Sequence, residues 1–121
     1  MGTWNAGNFD NDSALDYVGD LIDQLTNTIN SCFEDDNADL DEGGEGELMP
    51  SVFIIDLLSR HCGAAPPKPD VIESWRDRYV KIYDEQIDGL EPDPEFKVNR
   101  RKVVADTFSS LIATSNEFWN P

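Results

Sequence analysis

The chain has 121 residues, 39% of them hydrophobic, and its 25 acidic residues against nine Lys and Arg give a formal net charge of −16. This length predicts one domain over residues 1–121. Because Lys and Arg are needed to replace the counterions of a phosphate backbone, the charge excludes nucleic acid as the expected partner.

The sequence also shows neither a membrane-spanning segment nor a secretory signal. The longest apolar run, residues 52–55, is far too short to cross a bilayer. An anionic membrane surface would repel so acidic a chain. The opening residues lack the basic and apolar regions of a secretory signal, so we expect a cytoplasmic protein with no membrane partner.

Residues 1–9 are rich in Gly and Asn and hold two aromatic residues, Trp4 and Phe9. The glycines favour an irregular arm over regular structure. We expect this arm to fold back onto the body, because exposed Trp and Phe would forgo burial worth about 2–3 kcal/mol each.

A long amphipathic helix is predicted from about residue 12 to residue 33. Three residues that can cap a helix stand in a row at Asn11, Asp12 and Ser13, and Asp16 would complete a capping box with Ser13. The pattern leaves open which of the three is the cap. Apolar residues then recur at helical spacing, at Leu15, Val18, Leu21 or Ile22, Leu25, Ile29 and Phe33.

Residues 34–47 carry eight acids and three glycines but only two apolar side chains, Ala38 and Leu40. Like charges repel and little can be buried, so we predict a mobile acidic loop.

The same loop matches an EF-hand only in part. Leu40 stands where that motif needs Gly, and Gly46 stands where it needs a bidentate Glu, so we expect no calcium loop here. Four residues do fall at ligand positions 1, 3, 5 and 7, namely Asp35, Asn37, Asp39 and Asp41.

The second helix is predicted to begin near Pro50 and to end at Gly63. A buried strand over residues 52–55 is the competing prediction, and the length between Pro and Gly favours the helix. Apolar residues occupy most of its circumference, so we expect it to be the most buried helix.

Two more helices complete the chain. The third follows a proline-rich connector and is expected to be capped by Asp70. The fourth starts at Pro94, after the cap Asp93, and runs to about Ser115. Together the elements predict an all-α fold, a compact four-helix domain with an irregular N-terminal arm and an acidic loop between helices 1 and 2.

The first candidate site is a set of carboxylates around the start of the first helix. Asp16 and Asp20 lie four residues apart on one helix face, where Mg²⁺ or Ca²⁺ would find several oxygens. The competing interpretation is that the first acids cap backbone N–H groups and the others are solvated. We expect no metal, and the alternative metal set is Asp10, Asp12, Asp16 and Asp20.

The basic residues 100–102 would be a nucleic-acid footprint in another protein. Here the surrounding acids predict internal pairs, with Asp10 or Asp16 bound to Arg76 or Arg100. No catalytic residue and no cofactor is expected. One helix-end histidine and two small buried thiols are assigned structural roles, namely His61, Cys32 and Cys62.

Residues 2–16 form the pattern G-x-W-x-x-G-x-F-x-N-D-x-A-x-D. This pattern resembles the opening motif of an uncharacterised bacterial family, domain of unknown function 4259, and residues 75–77, Tyr79 and residues 90–92 are similar to its later segments. The resemblance covers most of the chain and implies no activity. It marks seven motif residues, Trp4, Phe9, Asn11, Asp12, Asp16, Trp75 and Arg76.

The size and the charge favour a non-enzymatic protein-binding module, of the inhibitor, immunity or antidefence type, with a basic protein as its partner. The alternative is a carboxylate-based divalent metal-binding protein or a metal-dependent enzyme. Neither the partner-binding residues nor the oligomeric state can be derived from the pattern.

Overall fold

A computed structural model describes residues 6–121 as four α-helices. They are α1 (Asp12–Glu34), α2 (Met49–Cys62), α3 (Pro69–Gln86) and α4 (Pro94–Trp119), with a π-helical turn at Gly44–Leu48 and a 3₁₀ turn at Ile87–Leu90. None of the described residues lies in a strand, so the all-α, four-helix prediction is confirmed. Within the same residues, no helix combines the length and apolarity that a bilayer crossing needs.

Asn11 starts α1. Its backbone is extended, and its Oδ1 accepts a hydrogen bond from the Ala14 N–H at 2.8 Å. This settles which of the three candidate residues is the cap. Ser13 lies inside the first turn as a consequence, and its predicted capping box with Asp16 is not formed.

Proline and glycine set the other helix ends largely as predicted. Pro50 lies in the first turn of α2, and Gly63 closes that helix in the left-handed conformation with φ 75°. The cap predicted for α3 is wrong, because the helix begins at Pro69 and Lys68 occupies the N-cap position. Proline's fixed φ suits the first helical position, which places Asp70 inside the first turn.

The last helix begins as predicted and ends later. Asp93 occupies the N-cap position of α4, although its side chain makes no capping bond. The helix continues past Ser115 to Trp119 because the proline-rich connector holds its last turns. Ser115 Oγ donates to the Pro67 carbonyl at 2.6 Å, and Trp119 Nε1 donates to the Pro66 carbonyl at 3.0 Å.

The core lies where α2 packs against both α1 and α4, and where α3 packs against α4. Aromatic and aliphatic side chains fill it, and Tyr79 contacts Phe108 with 6.3 Å between ring centroids. Burial of these large side chains supplies the main drive for folding. The largest fully buried members are Tyr79, Tyr83, Phe108, Ile29, Leu48, Ile55, Ile72 and Leu111.

Residues 34–47, predicted to be a mobile acidic loop, are packed on the body in the structure. Both apolar side chains are buried, with Ala38 4% and Leu40 6% exposed. Gln86 on α3 bonds the segment twice, accepting from the Leu40 N–H at 3.0 Å and donating to Asp39 Oδ1 at 2.6 Å. Two buried apolar residues and bonds to distant groups therefore offset the local charge repulsion.

The N-terminal arm is irregular over its described part, residues 6–10. Trp4 lies outside the described residues. The expected burial of Phe9 is wrong, because its side chain is 37% exposed. Asp10 accepts a bond from the Gly7 N–H at 3.0 Å, so the arm is organised by a local turn.

Candidate functional site

The acidic residues are unevenly distributed along the chain. Residues 1–59 contain fourteen acids and no Lys or Arg, whereas residues 60–121 contain eleven acids and all nine bases. This asymmetry is visible in the sequence, but the net charge alone conceals it. It concentrates negative charge on the half of the chain that contains α1 and the segment after it.

Six of the nine bases form ion pairs with neighbouring acids. Only two of the pairs reach acids from the first 59 residues, at Glu45 and Asp56. The pairs are Arg60–Asp56, Arg76–Asp77, Lys97–Asp88, Arg100–Glu45, Arg101–Asp84 and Lys102–Asp106. The expected pairing of Asp10 or Asp16 with Arg76 or Arg100 is therefore wrong, because both arginines have nearer carboxylates.

Two further cations lie over aromatic rings. Arg78 lies 4.2 Å from the ring centroid of Phe33, and Lys68 lies 5.1 Å from that of Trp119. Cations in such positions are attracted by the ring face. Eight of the nine bases are thus engaged within the fold, and none of these contacts involves Asp16, Asp20 or Asp23 of α1.

Asp16, Asp20 and Asp23 form a line on α1, which we call the acid line. Their spacing of four and three residues places them on one helix face. All three are exposed, and no side chain among the described residues bonds their carboxylates. They border a groove of about 610 Å³ with Leu15, residues 63–65 and Phe118. Negative charge and apolar surface therefore meet in one open groove.

A second groove, of about 600 Å³, lies further along α1. It is bordered by the C-terminal half of the helix, Asp35, Glu42 and Glu47. Glu47 accepts a bond from Asn37 Nδ2 at 3.3 Å. Both grooves are thus acidic, and neither includes a Lys or Arg.

Cys32 borders this second groove and is 2% exposed. Burial, followed by the neighbouring Glu47 carboxylate, raises the pKa of the Cys32 thiol. The thiol is therefore held in its protonated and weakly nucleophilic form. Cys62 is also a free thiol and is half-buried.

The outward side of α2 is apolar, which the sequence did not predict. α2 is the most buried of the four helices, as expected, with six of its 14 residues buried, but Phe53 is 55%, Ile54 40% and Leu57 41% exposed. Together with the exposed Pro50, these residues form what we call the outer face of α2. Hydropathy cannot show which side of an apolar helix remains exposed, because exposure depends on where the neighbouring helices pack.

Asp56 fixes the other side of α2 to α4. Asp56 is 8% exposed, and its carboxylate accepts hydrogen bonds from Ser110 Oγ at 2.5 Å and from Thr114 Oγ1 at 2.6 Å. Arg60, one turn later, donates to the same carboxylate at 3.1 Å. A buried carboxylate with these partners orients α2, and with it the outer face.

Glu45 in the π-helical turn is the centre of a second, partly buried ionic contact. Arg100 donates to both its carboxylate oxygens, and Tyr79 O–H donates to Oε2 at 2.6 Å. Partial burial opposes ionisation of Glu45, but the bonds from Arg100 and then Tyr79 outweigh it and set the pKa of Glu45 below its ordinary value. Burial, followed by the bond to Glu45, raises the pKa of Tyr79 well above its ordinary value.

The four residues of the alternative metal set are not gathered into one ligand sphere. Asp10 is bonded to Gly7, Asp12 lies in the first helical turn, and Asp16 and Asp20 border the first groove. In residues 6–121, the acids that converge within 4.8 Å are instead Asp39, Asp41 and Glu42.

This second group overlaps the partial EF-hand match in two positions. Asp39 and Asp41 approach each other, while Asn37 donates to Glu47 and Asp35 borders the second groove. Asp39 also accepts a bond from Gln86. The segment is therefore organised by contacts with α3 rather than as an EF-hand loop.

The motif residues have structural roles where they are described. Asn11 caps α1, and the buried Trp75 joins α3 to α1 through a bond from Nε1 to Asn30 Oδ1 at 3.0 Å. Arg76 pairs with the adjacent Asp77 at 3.0 Å, on the surface. The motif therefore contributes to the packing of α1 more than to a reactive site.

A family model described as Domain of unknown function (DUF4259) matches residues 2–117. No curated protein and no solved structure matches the chain.

Proposed function

The chain belongs to the DUF4259 family, and we propose that it is a cytoplasmic, non-enzymatic protein-binding module of the inhibitor, immunity or antidefence type. Its partner is a basic protein. The acid line carries this proposal, because its three exposed carboxylates lie on one helix face, form no ion pair with any base of residues 6–121 and border a groove with apolar walls.

The negative charge of the acid line supports a basic protein as the partner. Each exposed carboxylate interacts weakly with a single cation in water. A set of like charges on one surface acts collectively, raising the association rate of an oppositely charged partner and disfavouring others. Apolar groups beside the charges, here Leu15 and Phe118, add the burial that gives an interface its lifetime.

The titratable groups inside the fold support a role without catalysis. The raised pKa values of Cys32 and Tyr79 favour their protonated forms, in which neither is an activated nucleophile or base. Both oxygens of Glu45 are occupied by Arg100 and Tyr79. These groups thus stabilise the fold.

The test compares the acid line with an equal number of acids elsewhere. One variant carries Asp16→Asn, Asp20→Asn and Asp23→Asn. The control carries Glu73→Gln, Glu91→Gln and Glu95→Gln, which removes the same charge from exposed positions outside α1. Each protein is immobilised and exposed to a lysate of the cells that encode it, and the retained proteins are identified by mass spectrometry.

We expect a basic protein to be retained by the wild type and by the control, and to be lost from the α1 variant. Its retention should fall as NaCl is raised from about 50 to about 500 mM, since salt screens exposed charges. Retention by the α1 variant equal to that of the wild type would overturn the proposal. So would a retained partner that is itself acidic.

A further inference from the structure

Gly19 lies in the middle of the acid line. In residues 6–121, it is the only glycine inside an α-helix. It follows Asp16 by about one turn and precedes Asp23 by another, so the three residues share one face of α1. Glycine inside a helix costs stability relative to alanine, because its backbone loses more conformational freedom on folding. Such a glycine needs a reason elsewhere in the structure.

The packing of the fold gives no reason for glycine at position 19. A Cβ built there would have nothing within 4 Å among the described residues, apart from its own helix. At Gly44, by contrast, a Cβ would meet two backbone carbonyl oxygens, and Gly63 has a left-handed φ. Gly19 instead borders the open groove of the acid line, so the missing Cβ leaves free space beside that groove.

The groove beside Gly19 is negative and has no base at its border. The acid line contributes three carboxylates to it, and none of its lining residues in the described part of the chain is Lys, Arg or His. The bases that flank the wall at residues 63–65 are engaged elsewhere. Arg60 is ion-paired within α2, and Lys68 lies over an aromatic ring of α4. The groove therefore complements a positively charged occupant.

We propose that a segment of the basic partner lies in this groove with its backbone against Gly19, and that its Lys or Arg side chains contact the acid line. The acid line extends over seven residues, about 10 Å along the helix axis. The segment thus carries about two or three cations within that length. This inference rests on the proposed function and names the point of closest contact on α1.

A close approach at Gly19 strengthens the contact between the charges. An exposed ion pair contributes little in water, because the solvent screens both charges. The attraction rises as the separation shortens and as water is excluded. Without a side chain at Gly19 the segment reaches the α1 backbone itself, and Leu15 and Phe118 add apolar surface to the groove. Glycine at this position therefore weakens the helix but permits a closer contact.

A second copy of the chain is a poorer occupant of the groove. Each copy has a net charge of −16, so two copies repel each other. Eight of the nine bases already contact an acid or an aromatic ring of their own chain. A separate basic protein meets neither obstacle.

The test begins with a displayed library of random 15-residue peptides, selected at low salt for binding to the immobilised full chain. The five most enriched peptides are synthesised, and their affinities are measured by calorimetry. The groove variants are Gly19→Ala and Gly19→Leu. The matched controls are Gly46→Ala and Gly46→Leu, at an exposed glycine that also has nothing within 4 Å of its Cβ position and does not border the groove. The acid-line variant is Asp16→Asn/Asp20→Asn/Asp23→Asn.

We expect the selected peptides to be rich in Lys and Arg. Their affinity should fall about two- to five-fold for Gly19→Ala and about ten-fold or more for Gly19→Leu, because a larger side chain at a close contact forces the segment away. The Gly46 variants should bind as the wild type does. Thermal unfolding is the second measurement. Gly19→Ala should raise the Tm by about 2–6 °C, since alanine is the better helix former.

The combination of a higher Tm and a weaker affinity separates a binding role of Gly19 from a structural one. A lower Tm for Gly19→Ala would show that the fold needs this glycine and would overturn the inference. A dimer in sedimentation experiments that Gly19→Leu abolishes would make a second copy the occupant and would also overturn it.

The inference and the proposed function fail in different ways. If the acid-line variant binds the peptides more weakly and Gly19→Leu binds them as the wild type does, the role of Gly19 is wrong and the proposed function stands. If the acid-line variant binds them as the wild type does, both are wrong. Selected peptides without an excess of Lys and Arg would contradict both as well.

Discussion

Arg100 donates from Nε and Nη2 to the two carboxylate oxygens of Glu45, at 2.7 and 3.0 Å. The two residues are 55 positions apart in the sequence, so this bidentate pair joins the turn before α2 directly to α4. Tyr79 from α3 completes the contact. Three parts of the fold therefore meet at one carboxylate.

Replacing Glu45 by Gln should destabilise the fold by about 2–3 kcal/mol, because Arg100 would keep its partial burial and lose its counter-charge. Urea unfolding followed by circular dichroism measures the change. The control is Asp106→Asn, which breaks the exposed pair with Lys102 and should leave the unfolding midpoint almost unchanged. Equal effects of the two substitutions would contradict this role for Glu45.

The same carboxylate predicts a pH dependence of stability. The pKa of Glu45 is lower in the fold than its ordinary value of 4.5. Its ionised form therefore stabilises the fold at pH above the unfolded-state pKa, and that contribution is lost as the pH falls through the folded-state pKa. The free energy of unfolding should differ between wild type and Glu45→Gln by a constant amount from about pH 6 to about pH 8, and the difference should shrink below about pH 4.5.

Unfolding curves of both proteins across that range measure this difference. The pKa of Asp84 is also lowered, by its hydrogen bond with Arg101. Because both proteins contain Asp84, its contribution cancels when the free energy of unfolding of one protein is subtracted from that of the other. A difference that grows towards acid pH would contradict the assigned direction.

Gly44 should tolerate no side chain. A Cβ at this position would meet the carbonyl oxygens of Ala38 and Asp39 and would lie 2.9 Å from the Tyr79 ring. Two of these three neighbours are backbone atoms, which cannot move aside easily, so Gly44→Ala should cost about 1–3 kcal/mol or more. Thermal unfolding provides the measurement.

Gly46 is the matched control for Gly44. It lies two residues later in the same π-helical turn, and nothing stands within 4 Å of its Cβ position. Gly46→Ala should be neutral or slightly stabilising, because Ala restricts the unfolded chain more than Gly does. A larger loss from Gly46→Ala than from Gly44→Ala would show that the packing at Gly44 is not the cause.

Asn11→Ala should destabilise the fold by about 1 kcal/mol, through loss of the bond to the Ala14 N–H. Ser13→Ala is the control, since Ser13 was an equal candidate in the sequence and lies inside the helix in the structure. Chemical denaturation should separate the two. A greater loss from Ser13→Ala would contradict Asn11 as the cap.

Features that depend on nearby residues were predicted well. Helical spacing identified α1, and proline and glycine identified both ends of α2 and the start of α4, because each acts on the backbone within a turn. Asn11 was among three candidates, since all three types supply the same acceptor. The sequence alone does not show which of the three residues would adopt the extended backbone of an N-cap.

Features that depend on distant residues were missed. Residues 34–47 were predicted to be a mobile loop from their local charge, and their contacts with Gln86, Arg100 and Tyr79 were not foreseen because these partners lie far along the chain. The outer face of α2 was missed for a related reason. Its exposure depends on where α1 and α4 pack, and no local pattern encodes that arrangement.

The late position of the first base has a practical consequence for experiments on this chain. Trypsin cleaves after Lys and Arg, and the first of these is Arg60, so digestion leaves residues 1–60 as one peptide even after unfolding. Lysine-directed labels are also restricted to residues outside α1 and α2, at Lys68, Lys81, Lys97 and Lys102. A dye attached to any of these side chains would leave the chemistry of both helices unaltered while reporting what binds them.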